Sequence, residues 1–153
     1  MKRTITELKE VTDALRIEKD KLLIFYERPL GTGASSMVYR GILSGVSPLA
    51  KMTNNTMDTQ QFRDCEVAAK LALQFGNDEV EQLLKEIEVM RIVQYHTNVI
   101  SMLGWVMLNN KPGLVFEIAE QDLLTYVETL RTKDEQDIPF SNVQRVSQYS
   151  FRI

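Results

Sequence analysis

Apolar and polar positions along the 153-residue chain switch between two periods, and the switches mark its elements. Residues 1–21 are charged, with Ile5, Leu8, Val11 or Thr12, and Leu15 at helical spacing, and read as a leader segment. Residues 22–30 form an apolar strand cut by Pro29, which a sheet edge or strand end tolerates because proline donates no ladder hydrogen bond. Val38 to Leu43 is its return strand around a loop at residues 31–36. Ser44 to Asp64 is polar, with Gly45, Pro48, Asn54 and Asn55, and has the composition of an exposed loop. Glu66 to Leu73 is a third strand, and Gly76-Asn77-Asp78 a turn that opens a helix.

From Asp78 to Val93, Val80, Leu83, Leu84, Ile87 and Met90 recur every three or four residues, which predicts one buried helical face. Glu81 and Lys85 stand four apart in the favourable order on the other side. Val99 to Leu108 reads as a strand, Asn109 to Gly113 as a turn, and Leu114 to Phe116 as a strand. Leu123, Leu124, Val127 and Leu130 then share a helical face, Arg131 to Asp137 is a charged linker, and Ser141 to Ile153 starts a further helix.

Composition narrows the class. A chain with 44% hydrophobic and 25% charged residues is globular rather than disordered, and its length suits a real core. A net charge of -3 without a basic patch argues against a general nucleic-acid binder. Cys65 is the only cysteine, so no intrachain disulfide can form, and such a thiol is more often inert than reactive. The longest apolar run, Leu22 to Tyr26, falls far short of the about 20 residues of a membrane helix. With no apolar signal-peptide core after Met1-Lys2-Arg3, the expected location is the cytoplasm, as the cytosolic part of a membrane receptor should the gene extend upstream.

Two segments carry the chemistry. In Leu30-Gly31-Thr32-Gly33-Ala34-Ser35-Ser36-Met37-Val38, glycines one residue apart let a backbone turn approach a bound group and aim its N–H groups at phosphate oxygens. Val67-Ala68-Ala69-Lys70 ends a strand in a lysine able to set its ammonium against the same phosphates. Together they resemble the G-x-G-x-x-G-x-V loop and V-A-I-K strand of protein kinases, with Ser36 in place of the third glycine. His96-Thr97-Asn98-Val99-Ile100 is similar to the structural turn before the fourth kinase strand, and Gly113 to Ala119 to the fifth strand and hinge. Over residues 20–153 the chain resembles the start of a receptor-type tyrosine kinase domain. The implied fold is α+β: a kinase-like N-lobe with a five-stranded antiparallel sheet and one inserted helix, then one or two helices of an incomplete second lobe. Residues 1–21 would be the leader, 22–120 the N-lobe and hinge, and 121–153 the first helices of the second lobe.

The resemblance also implies the site. Leu30, Val38 and Ala68 would enclose an adenine ring, and Gly31, Gly33 and Ser36 would cover the phosphates of ATP. Phe116 would be the gatekeeper at the back of the pocket, and Glu117 and Ala119 would offer backbone groups to the adenine edge. Lys70 would contact the α- and β-phosphates and pair with a glutamate of the inserted helix. Both Glu86 and Glu88 are within reach in sequence. At about 100° per residue, Glu86 lies beside the buried stripe while Glu88 is turned roughly 160° away, and the family pattern selects Glu86 too.

Phosphoryl transfer in this family needs the base of H-R-D-x-x-x-x-N and the Mg²⁺ ligands of that motif and of D-F-G. The sequence contains neither, nor A-P-E, and Gln74-Phe75-Gly76 matches D-F-G in letters only. The lone His96 and the acidic residues show no E-x-x-H or D-x-D spacing, so no metal site is expected. The expected function is the ATP-binding part of a protein tyrosine kinase whose full domain transfers the γ-phosphate to a protein hydroxyl with Mg²⁺. These residues alone would be inactive, the chain breaking off before the catalytic loop. The alternatives are a truncated kinase-like interaction module and an unrelated ATP-binding α+β domain.

Overall fold

The computed structural model describes residues 13–73 and 76–131. Contacts divide the chain into two units, Met1–Tyr95 with Ser101–Ile118 and His96–Ile100 with Ala119–Ile153. The first holds a six-stranded mixed sheet, ordered β1-β5-β6-β4-β3-β2. Its strands are β1 (Arg16–Ile17), β2 (Leu22–Thr32), β3 (Ser36–Val46), β4 (Arg63–Ala72), β5 (Met102–Leu108) and β6 (Lys111–Glu117). Three α-helices are described: α1 (Pro48–Met52), α2 (Asn77–Val93) and, in the second unit, α3 (Leu123–Arg131).

The α+β class is as expected, but the sheet has six strands, not five, and is not wholly antiparallel. The added strand, β1, pairs parallel with β5 through Arg16 and Trp105, and Ile17 and Val106. It lies in the stretch read as a helical leader. Leu15 and Ile17 are buried there against the sheet, so their spacing serves a strand that is too short to show its own period. Gly104 makes room for it: a Cβ at that position would stand 2.6 Å from the Leu15 carbonyl oxygen.

Helix α1 is the second departure, inside the stretch read as a polar loop. Ser47 Oγ accepts from the Ala50 N–H at 3.2 Å, and Pro48 occupies the first turn, where its missing N–H costs nothing. Leu49 and Ala50 are buried by this arrangement. They join Phe62, Leu43, Val67, Leu103, Val106 and Val115 in a core on one face of the sheet. Pro29 stays within β2 opposite Tyr39, with register shifts on both sides of it.

Helix α2 covers the other face, packing on β6 and β4. It buries Val80, Leu83, Ile87 and Met90, four of the five stripe residues, and Lys85 pairs with Glu81 at 3.4 Å. In the second unit, Asp122 caps α3 by accepting from the Thr125 N–H at 3.0 Å. Here the buried residue is Tyr126, while Leu124 and Val127 are exposed. The actual stripe is 123, 126 and 130, which runs through a tyrosine that an apolar count passes over. Residues 1–12, the Gln74-Phe75 pair, the expected linker beyond Arg131 and the expected helix at 141–153 lie outside the described residues.

Candidate functional site

Side chains paired across a ladder share a face of the sheet. One row runs Gly31, Val38, Lys70, Leu114, Trp105 and Arg16 over all six strands. The row of Phe25, Arg40, Ala68, Phe116 and Met102 lies on the same face, two residues along. Lys70, Val38, Ala68, Phe116 and Gly31 therefore share a surface, the one α2 packs on, while Val67 and Ala69 point to the opposite core. A Cβ at Gly31 would meet nothing within 4 Å, so the bare glycine leaves open space at the end of the Lys70 row.

Lys70 Nζ donates to both carboxylate oxygens of Glu86, at 2.7 and 3.0 Å. Only 13% and 12% of the two side chains are exposed, so this ion pair is shielded from the solvent that makes surface pairs weak. Glu88 is exposed and lies 3.7 Å from the Arg91 Nε. Strand β4 supplies the lysine and α2 the carboxylate. The buried stripe fixes the rotation of the helix, which in turn aims Glu86.

The loop between β2 and β3 closes tightly. Gly33 N–H donates to the Ser36 carbonyl at 2.8 Å, and the Leu73 N–H to the Ser35 carbonyl at 3.0 Å. Ser35 Oγ donates to Gln82 Oε1 at 3.2 Å, tying the loop tip to α2. Ser36 is buried. Leu30 is half exposed and has no register partner, since it falls in the irregular stretch around Pro29.

At the other end of the sheet Phe116 is buried beside Ala68 and Met102. Glu117 is held twice by Ser101: its N–H donates to the Ser101 carbonyl at 3.0 Å, and its Oε1 accepts from the Ser101 N–H at 2.6 Å. Its N–H is thus engaged already. Ala119 belongs to the second unit and is exposed. In that unit His96 Nδ1 accepts from the Asn98 N–H at 3.1 Å, a turn-forming bond.

A cluster that sequence reasoning missed stands beside this face. Asp13 accepts from Arg91 Nη1 at 2.9 Å and Nη2 at 2.5 Å, from Trp105 Nε1 at 3.0 Å and from the Leu15 N–H at 2.9 Å. Burial by itself would raise the Asp13 carboxyl, but bonds from Arg91, Leu15 and Trp105 outweigh it and hold it below its ordinary value. One signal was legible. A tryptophan in a buried strand needs an acceptor for its indole N–H, and the chain has one tryptophan.

Comparison with known proteins follows the same segments. The sequence matches the family described as protein tyrosine and serine/threonine kinase over residues 24–149. The chain belongs to that family. A Caenorhabditis elegans protein carrying a tyrosine-protein kinase name, F09A5.2, is 35% identical over 128 residues, covering 80% of this chain and 14% of its own. The tyrosine-protein kinase receptor old-1 of the same species is 27% identical over 119 residues, or 76% of this chain and 22% of that protein. Fibroblast growth factor receptor 2 of Dugesia japonica is 30% identical over 103 residues, or 67% and 10%. The chain thus spans less than a quarter of the length of these relatives. Within the family, β2 to β6 with α2 correspond to the N-lobe and α3 to part of the second lobe, while β1 lies before the matched residues. Among the described residues no helix is long and apolar enough to cross a membrane.

Proposed function

We propose that this chain supplies the ATP-binding part of a protein tyrosine kinase, whose substrates are ATP and a protein hydroxyl. The observation that carries the reading is the shielded Lys70–Glu86 pair, set in one row with Gly31 and Val38. A lysine that is already oriented and partly desolvated interacts more strongly with phosphate oxygens than a solvated one. Glu86 holds the ammonium in place, so little ordering remains to be done when the nucleotide arrives. The 31–36 loop covers the phosphates, and the Ser35–Gln82 bond limits how far its tip can swing.

Val38, Ala68 and Leu30 provide the apolar surface for the adenine, with Phe116 closing the back. Because the Glu117 N–H is engaged with Ser101, its carbonyl is the group assigned to the adenine edge. In the family Mg²⁺ neutralises charge on the transferring phosphate. No group of three His, Cys, Asp or Glu lies together among the described residues, and no residue is assigned to the metal.

The test is direct nucleotide binding by the 153-residue chain, read by calorimetry. Wild type should bind ATP weakly but measurably, and Lys70→Met should lower the affinity by about tenfold or more, the worth of a charge-assisted contact. Equal affinity in the two proteins would remove Lys70 from the site.

A further inference from the structure

We propose that Asp13 is a positioning residue for the Lys70–Glu86 pair. Through Arg91 and the indole N–H of Trp105, it pins the C-terminal end of α2 to the row of the sheet that carries Lys70. Glu86 and Arg91 are five residues apart on one helix, about 7.5 Å along a rigid axis. Glu86 is bonded to Lys70, and Arg91, through Asp13, to Trp105. Lys70 and Trp105 are joined across β6 by Leu114, so both anchors stand on a single cross-strand row. A rod fixed at two points cannot tilt or rotate without breaking one of them.

The clasp is built for such a load. The Asp13 side chain is 4% exposed and accepts four hydrogen bonds, two of them from the fork of one guanidinium. Trp105 is fully buried, and Gly104 lets the backbone of Leu15 come close enough to accept the Trp105 N–H at 2.9 Å. The other acid facing Arg91 is Glu88, farther off at 3.7 Å and half exposed. Asp13 therefore dominates the placement of Arg91. Residues before the sheet thereby set the helix that aims Glu86.

Trp105 is the only tryptophan, so its emission reports on the clasp in the full 153-residue chain. Lys70→Met removes the first anchor. The expected result is a red shift of Trp105 emission as the helix end loosens and water reaches the indole. In an Asp13→Asn background, where the clasp is already weakened, the same substitution should give a clearly smaller shift. A shift that is equal in both backgrounds, or absent from both, overturns the proposal. Should Asp13→Asn fail to fold by circular dichroism, Arg91→Gln replaces it under the same criteria.

A second arm rests on the nucleotide reading. Asp13→Asn should weaken ATP binding by about fivefold or more, the lower range of coupling between linked sites. If wild type binds no ATP while the emission coupling is present, the nucleotide reading falls and the positioning role stands. Unchanged ATP affinity in Asp13→Asn without emission coupling overturns the positioning role alone.

Discussion

Asp13 makes its contribution to stability only while it is ionised, and the sign of its pH dependence follows. Its carboxyl titrates lower in the fold than the ordinary 3.8, so the stabilisation is fully present above that value. It is lost as the pH falls from there through the lower folded value, where the unfolded chain binds the proton first. Wild type should therefore lose part of its resistance to urea below about pH 4, and Asp13→Asn should lose less over that window. At pH 7 the variant should be less stable by about 3 kcal/mol, the low end for a broken buried pair because Arg91 is a quarter exposed. Urea titrations of both proteins between pH 3 and 7 decide it, and parallel curves would show that Asp13 does not titrate as assigned. Cys65 runs the other way. Burial, helped by Asp64, pushes its thiol up, so it should react with iodoacetamide more slowly at pH 7 than a free cysteine. At this scale Glu86 was legible because helical geometry separates it from Glu88. Asp13 was not, since its partners Arg91 and Trp105 lie 78 and 92 residues away.

Elements with a sustained period were readable in advance. The stripe of α2, from Val80 to Met90, extends over about three turns, long enough to fix both its type and its buried face. β1 and α1, with two and five residues, are too short to show their period twice, and packing rather than periodicity decides them. The Ser47-Pro48 start was the local sign of α1, masked by Gly45, Asn54 and Asn55 around it. For β1 the decisive residue is its partner Gly104. A methyl there would press on the Leu15 carbonyl and on Ile17 Cδ1, at 2.6 and 2.9 Å. Gly104→Ala should consequently push β1 off β5 and destabilise the chain by about 1–3 kcal/mol, the usual range for overpacking. Amide exchange offers a local readout: the Trp105 N–H, bonded to Leu15 in wild type, should exchange faster in the variant. Unchanged protection at that amide would mean that β1 docks without the space Gly104 provides.

For the whole molecule, catalysis is a matter of which groups these 153 residues contain. The proposed site can orient phosphates through Lys70, Glu86 and the 31–36 loop, and it can hold an adenine against Val38 and Ala68. Family chemistry also requires an aspartate to take the hydroxyl proton and carboxylate and amide ligands for Mg²⁺, from H-R-D-x-x-x-x-N and D-F-G. Neither motif occurs in the sequence. Positioning and metal-assisted charge stabilisation supply nearly all the acceleration in phosphoryl transfer, so half of that apparatus should give essentially none. Incubated with Mg²⁺, labelled ATP and a tyrosine-containing polymer, the isolated chain should incorporate no more phosphate than its Lys70→Met variant. Binding and transfer are thus expected to separate: Lys70→Met should lower nucleotide affinity while phosphate incorporation stays the same in both proteins. Lys70-dependent incorporation above the variant would instead require a base and metal ligands among the residues present, with the acids near Lys70 as the first to be substituted.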